Sequence, residues 1–354
     1  VRPGRAVAPF DVVPDRRRAL LMAATAFLAE RLSRAGIRDV VSVEQVSGGL
    51  AALAGIAHRR DALSVFVKAF AEAPDGDALL AGGAFAASSA GPGDDVFVAS
   101  GVPGGDVFVA SGVPGDDVFV AEAEGLAALR ELGGLTTPDV IVANQELLVL
   151  SLLQPRPHSE AFWEQFAHAL AHLHTSTVHA RFGWHRDNWL GRRRQVNTWA
   201  DDGFAFFAER RLLRWLPEPR VEAALEPADR AALERLCDCL PELLPPRPAC
   251  LTHGDLWCQN VMATPDGRAA LIDPAVSYTW AEVDLAHLWT TAPPPESQRF
   301  FDVYAELTDL DHDWRARMPI IQLRQHLAVL AQFDDDWGAA KTIRATLAPF
   351  RPSP

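Results

Sequence analysis

The chain has 354 residues, 49% of them hydrophobic and 22% charged, with a net charge of −13. That length and balance describe a globular protein large enough for one two-lobed unit or two domains. The acidic excess argues against a nucleic-acid or anionic-membrane partner, because both demand a basic face. No apolar run reaches the roughly 18 residues of a membrane span. Four cysteines, Cys237, Cys239, Cys250 and Cys258, form neither a disulfide framework nor paired CxxC clusters, so reduced thiols and a cytoplasmic location are expected.

Residues 1–15 carry three prolines and no periodicity, and read as a loose arm. A helix is expected from about Asp15 to Ala35, with Leu21, Leu28 and Leu32 on one face and Gly36 as its stop. Three arginines before Ala19 and the Glu30-Arg31 pair make it an amphipathic helix rather than a signal peptide. Val40 to Val46 reads as a strand, followed by Ser47-Gly48-Gly49, where adjacent glycines let backbone N–H groups approach phosphate oxygens. The next expected strand, Leu63 to Phe70, carries Lys68 late in its apolar run.

An 11-residue repeat follows. GDDVFVASGVP at 93–103 recurs as GGDVFVASGVP at 104–114 and as GDDVFVA at 115–121, with GGAFAASSAGP at 82–92 as a decayed copy. Each unit could give a short Val-Phe-Val strand ended by a turn, but the last diverges into FVAEAEGLAAL at 119–129. The copies are too few for a separate core, so they read as an insertion at about 82–121 made by tandem duplication. Strands with free edges would offer the chain, otherwise expected as a monomer, a route to self-association.

Asp139 to Val142 and Glu146 to Leu152 read as two strands, and Gln154-Pro155-Arg156-Pro157 as a boundary. This divides the chain into an N-terminal lobe, 1–153, and a C-terminal lobe, 154–354. Ser159 is expected to cap a helix running to about Ser176. His168, His172 and His174 on that helix have metal-like spacing, but a core helix is the stronger reading. Phe204, Phe207, Ala208, Leu212 and Trp215 form a helical apolar stripe. Further helices are expected around Trp314 to Phe333 and Trp337 to Leu347.

The chemistry concentrates in residues 251–284. His253-Gly254-Asp255 is followed by four residues and Asn260, then a turn at Pro265-Asp266-Gly267, an apolar strand ending at Asp273, and Asp284. One carboxylate, Asp255, can orient and deprotonate an attacking hydroxyl, while Asn260 and Asp273 supply hard oxygen ligands to Mg²⁺. The order and spacing are those of a kinase catalytic loop and the metal-binding Asp beyond it.

The segment HGDLWCQN at 253–260 with LIDPA at 271–275 resembles the fructosamine kinase (ketosamine-3-kinase) family, kin of aminoglycoside and choline kinases; Cys258 and Gln259 replace the family's Ser-Gly pair. FGWHRDNWLG at 182–191, QVNTW at 195–199 and FFAERRL at 206–212 resemble that branch's second signature. The resemblance covers about residues 40–350 apart from the repeats. It implies an α+β, two-lobed protein-kinase-like fold: a small lobe of antiparallel sheet plus a helix, and a mostly helical large lobe.

It further implies that Gly48, Gly49 and Lys68 bind ATP, that FVAEAEGLAAL is a helix whose Glu122 pairs with Lys68, with Glu124 as fallback, and that Asp284 and His253 support the loop. Glu72 lies too close in sequence to Lys68 to be that partner. The strand Glu146 to Leu152 would lead into the hinge between lobes, where exposed backbone groups meet an adenine in kinase-like folds, and Asn197, Trp199 and Trp257 are candidates for a sugar cleft. The implied substrate is a ketosamine, small or protein-bound, phosphorylated at its 3-hydroxyl so that the adduct falls off. The alternatives are a kinase for an aminoglycoside- or choline-type acceptor, and a catalytically silent nucleotide-binding scaffold.

Overall fold

A computed structural model describes residues 13–46, 52–70, 117–333 and 337–351, with side chains from residue 22 onward. Gly48, Gly49, Glu72 and the repeat copies before residue 117 lie outside the described residues.

The first layer is an antiparallel sheet of β1 (Val40–Val46), β2 (Leu53–Arg59), β3 (Val65–Ala69), β4 (Val140–Ala143) and β5 (Leu147–Ser151), in the order β1-β2-β3-β5-β4. Successive strand side chains point to opposite faces, so a sheet covered on both sides needs an unbroken apolar run in its central strands. Leu147-Leu148-Val149-Leu150 is such a run. Val149 and Leu147 share a cluster with Leu28 and Leu32 of α1 (Val13–Arg34), whereas Leu148 and Leu150 meet Phe119 and Leu126 of α2 (Val118–Glu131).

One element of this lobe departs from expectation. Strand β2, LAGIAHR, was not expected, because it lacks the β-branched density of its neighbours. Its small residues answer to packing: a Cβ on Gly55 would lie 3.0 Å from Leu28 Cδ1 and 2.9 Å from Glu44 O, so α1 and β1 seat directly on it. The last repeat copy, from which FVAEAEGLAAL diverges, opens helix α2 at Val118, as the resemblance implies. Phe119 is drawn inward onto Phe70, with ring centroids 4.4 Å apart, and the following Glu-Ala-Glu-Gly-Leu-Ala-Ala-Leu favours continuation as helix.

The change to helices falls after Ser151. Helix α3 (Glu160–Ser176) packs against α6 (Gln298–Leu307) through Trp163, Phe166, Phe300 and Tyr304. Ser159 occupies the N-cap position with extended backbone, but its side chain makes no capping bond, contrary to expectation. The expected stripe around Phe204 is interrupted: α4 (Gly203–Phe207) runs into a π-turn at Ala208–Leu212 and a 3₁₀ turn at Leu213–Trp215. Phe206, Phe207, Leu212 and Trp215 are buried, while Phe204 and Ala208 are only half-buried. The wider turn brings Arg211 inside, where its guanidinium donates to Val196 O, Asn197 Oδ1 and Ser277 Oγ.

Short hairpins complete this lobe: β6 (Asn188–Leu190) with β7 (Arg193–Gln195), β8 (Cys250–Thr252) with β11 (Ser277–Thr279), and β9 (Val261–Ala263) with β10 (Ala269–Leu271). Helices α5 (Glu282–Thr290), α7 (Trp314–Gln332) and α8 (Ala339–Leu347) close it. No described helix is long and apolar enough to cross a membrane.

Leu28 is fully buried between α1 and the sheet. Leu28→Ala should lower unfolding free energy by about 3 kcal/mol, read by urea denaturation.

Candidate active site

The catalytic segment leaves β8 at His253. Gly254 has φ +79°, and a Cβ there would collide with the carbonyl oxygen of Ala275, so glycine is required. The turn is held from below by Asp284, fully buried in the first turn of α5. Its carboxylate accepts from His253 N at 2.8 Å, Gly254 N at 2.8 Å and His174 Nε2 at 3.2 Å. Burial alone would raise the Asp284 pKa, but the bond and charge of His174 outweigh it and hold the group below the ordinary carboxylate value. His174 bonds Tyr304 Oη through Nδ1 at 2.6 Å, so both ring nitrogens serve this support.

His253 turns its ring inward. Nε2 donates to Ile272 O at 2.8 Å and Nδ1 accepts from Asp255 N at 3.2 Å, which defines a neutral Nε2–H imidazole. Burial pushes its pKa below the ordinary histidine value, against the pull of Asp284 and Asp255. Cys258–Asn260 forms a 3₁₀ turn in place of the family's Ser-Gly-Asn, fastened by Arg156 Nη1 to Cys258 O at 2.6 Å. Asn260 Nδ2 donates to Asp255 O at 2.8 Å, and among the described residues no donor reaches its Oδ1. Asp255 Oδ1 accepts from Gln325 Nε2 at 2.9 Å and lies 3.2 Å from His287 Nε2. Neither Gln325 nor His287 was expected. The one sequence signal for His287 is that it stands three residues beyond Asp284 on the same helix.

Lys68, 6% exposed, joins the lobes. Its Nζ donates to Glu122 Oε1 at 2.8 Å and to Asp273 Oδ1. Asp273 adopts φ +56°, a left-handed conformation that Asp tolerates better than most residues. Burial alone would lower the Lys68 pKa, but Asp273 and Glu122 outweigh it and raise it above the ordinary lysine value. Burial pushes Glu122 up, with Lys68 opposing and Asp273 adding to the rise. Asp273 goes the other way: Lys68 overcomes burial and keeps it ionised.

Glu124, the fallback partner, faces elsewhere. It meets Trp184 Nε1 at 3.3 Å and His185 Nε2 at 2.5 Å, while Asp117 bonds Arg186 and Trp189. The helix carrying Glu122 is therefore moored to the large lobe at its N-terminal turns.

Asn197 is corrected by the structure. It is fully buried: its Nδ2 donates to Arg186 O and Asn188 Oδ1, its Oδ1 accepts from Arg211, and its backbone N donates to Asp187 Oδ1, so the side chain is spent inside and out of reach of a sugar. Trp199 is half-buried beside His179 and Tyr278, at centroid distances of 4.9 and 6.0 Å. Trp257 is half-buried two residues beyond Asp255. In the hinge after β5, Leu152 and Leu153 lie outside sheet pairing, whereas Gln154 pairs its backbone with Ala263. Among the described residues no cluster of three His, Cys, Asp or Glu could hold a metal unaided. Asn260 and Asp273 nevertheless offer the hard oxygens that Mg²⁺ takes when phosphates complete its shell.

The family model described as fructosamine kinase matches residues 104–348. The chain belongs to the fructosamine kinase family. Its probable ketoamine kinase relative in Enterococcus faecium is 34% identical over 49% of this chain and 62% of its own length, so this chain spans less than two thirds of that relative. The probable ketoamine kinase YniA of Escherichia coli is 32% identical over 57% of this chain and 70% of its own. A crystal structure from Thermobifida fusca, a candidate fructosamine-3-kinase, superposes with a TM-score of 0.69 at 28% identity, covering 91% of this chain and 98% of that one. The two-lobed kinase-like architecture agrees with these matches.

Asp284→Ala removes an acceptor from three buried donors. We expect a loss of about 3–5 kcal/mol, measured by chemical denaturation. His253 adds a pH dependence. The unfolded chain takes its proton near pH ~6.5, whereas the folded chain resists it, so this stabilisation is present above that pH and declines below it. The urea midpoint should fall on going from pH ~7 to ~5, and His253→Gln should flatten that fall.

Proposed function

We propose that this protein is an ATP-dependent kinase that phosphorylates the 3-hydroxyl of ketosamines and thereby promotes deglycation. The observation that carries the reading is the meeting of Lys68, Glu122 and Asp273 at one point, with the loop of Asp255 and Asn260 tied to the backbone beside Asp273. Ile272 N donates to Asn260 O at 3.1 Å, which keeps the loop and the Asp273 strand in register.

In this reading Asp255 accepts the proton of the acceptor hydroxyl as its oxygen bonds the γ-phosphorus. The bond from that phosphorus to the bridging oxygen breaks and ADP leaves with the electron pair. Lys68 directs the α/β-phosphates, and Glu122 keeps the ammonium aimed. Gly48 and Gly49 would cover the phosphates from the preceding turn. Asn260 Oδ1 and the Asp273 carboxylate would hold Mg²⁺, which when bound neutralises charge on the phosphates. The site needs no covalent intermediate, because positioning and electrostatics suffice for this transfer.

Trp257 is proposed as a wall of the acceptor cleft, with Trp199 a further candidate. Ribulosamines and erythrulosamines, borne on small amines or protein lysines, are the favoured substrates. We further propose a monomer of two lobes, 1–153 and 154–354, working in the cytoplasm.

The test is ATP-dependent phosphorylation of ribulosyl-, erythrulosyl- and fructosyl-lysine. Turnover is expected on at least one, falling by roughly 10²–10⁴-fold in Asp255→Asn. Turnover confined to an aminoglycoside or choline would replace the substrate class, and ATP-Mg²⁺ binding without any turnover would support the silent scaffold.

A further inference from the structure

The carboxylate of Asp255 is gripped on one side only. Oδ1 takes the Gln325 amide at 2.9 Å and stands 3.2 Å from His287 Nε2. Among the described residues no donor reaches Oδ2, although the side chain is 22% exposed. The two gripping groups come from different helices, α5 and α7, and each is itself oriented. Gln322 Nε2 lies 3.1 Å from His287 Nδ1, and Arg324 Nη1 lies 3.4 Å from Gln325 Oε1.

These partners decide which atoms face Asp255. A carboxylate only accepts, so the ring must present Nε2–H, and the Gln322 amide is matched to a lone pair on Nδ1. The guanidinium of Arg324 only donates, so Gln325 turns its oxygen there and its NH₂ to Asp255. Arg324 is 3% exposed and also donates to Gln195 Oε1 at 2.6 Å, which fixes it from the far side.

We propose that Gln325 and His287 are positioning residues for the phosphoryl-transfer base: they hold Oδ1 of Asp255 so that Oδ2 is the oxygen that meets the acceptor hydroxyl. The proposal rests on the reading of Asp255 as that base. A carboxylate with both oxygens open would rotate about its Cβ–Cγ bond and share its time between orientations. Donors on one oxygen remove that freedom before the acceptor arrives, which is where misplacement by about 1 Å costs as much as 10²-fold in rate. The loop itself does not depend on them, because Asp284 holds the backbone at His253 and Gly254 and Asn260 holds it at Asp255.

The test is a double-mutant cycle on the full chain, with ketosamine phosphorylation and basal ATP hydrolysis both measured. Gln325→Met keeps the length of the side chain and removes the donor, as does His287→Leu, whereas His287→Gln retains an N–H. We expect Gln325→Met and His287→Leu to lower kcat by about 10–100-fold, with KM for ATP and the unfolding midpoint unmoved, and His287→Gln to recover most of the loss. In an Asp255→Asn background, Gln325→Met should have no further effect, since its route to the chemistry is gone.

Unchanged kcat in Gln325→Met, or an equal loss with and without the Asp255 carboxylate, would overturn the proposal. Ketosamine turnover absent from the wild type, with ATP hydrolysis still falling in Gln325→Met and the fall vanishing in Asp255→Asn, would sink the substrate reading and sustain the positioning role.

Discussion

One buried ammonium holds the active arrangement together. Lys68 meets Glu122, 54 residues away, and Asp273, 205 residues away, so a single side chain ties β3, α2 and the loop after β10. Removing a lysine from water costs several kcal/mol unless opposite charge compensates it, and the two carboxylates supply that charge. They in turn depend on Lys68: it keeps Asp273 ionised against burial and opposes the rise that burial and Asp273 impose on Glu122. The small-lobe sheet, the helix across it and the large-lobe loop therefore have to arrive in register.

A second constraint keeps the helix of Glu122 in place. In many kinase-like arrangements such a helix is free to swing and carry its glutamate away from the lysine. Here Asp117 and Glu124, on either side of Glu122 in sequence, are engaged by Arg186, Trp189, Trp184 and His185 from the large lobe. The contacts belong to the same 182–191 segment that carries the family signature. Its role in this chain is in part mechanical: it holds α2 from the side opposite the sheet. The same region consumes Asn197, whose polarity suggests a sugar donor until its bonds to Arg211, Asn188 and the Arg186 carbonyl are counted.

Much of the fold was legible. β1 falls on Val40–Val46 as expected, and the helices at 160–176 and 314–332 lie close to their expected bounds, because each carries a clear apolar period and a turn signal at its ends. What was not legible has physical causes. Strand β2 is built of small residues selected by the closeness of α1, not by strand propensity. Strand propensity alone would make Val118-Phe119-Val120 extended; the helix there was legible only through the family resemblance, and Phe70 and the following Ala- and Leu-rich turns decide it. The π-turn at Ala208–Leu212 breaks a stripe that a regular 3.6-residue period would continue.

By itself the sequence determined the chemistry-bearing set. Asp255, Asn260 and Asp273 stand at kinase-like spacings along a loop and hairpin whose backbones are bonded together, and Lys68 lies late in an apolar strand. Gly254, confined to φ +79° against Ala275, is a local requirement too. The resemblance already favoured Glu122 as the partner of Lys68, which the structure bears out; only the tertiary structure decided that Asn197 is spent inside and that His174 serves Asp284. It also brought Gln325 and His287 onto one oxygen of Asp255, across 70 residues of chain in the case of Gln325. Spacing along a strand or loop can encode neighbours that the backbone itself brings together. Partners that meet only because two helices cross leave no local pattern to read.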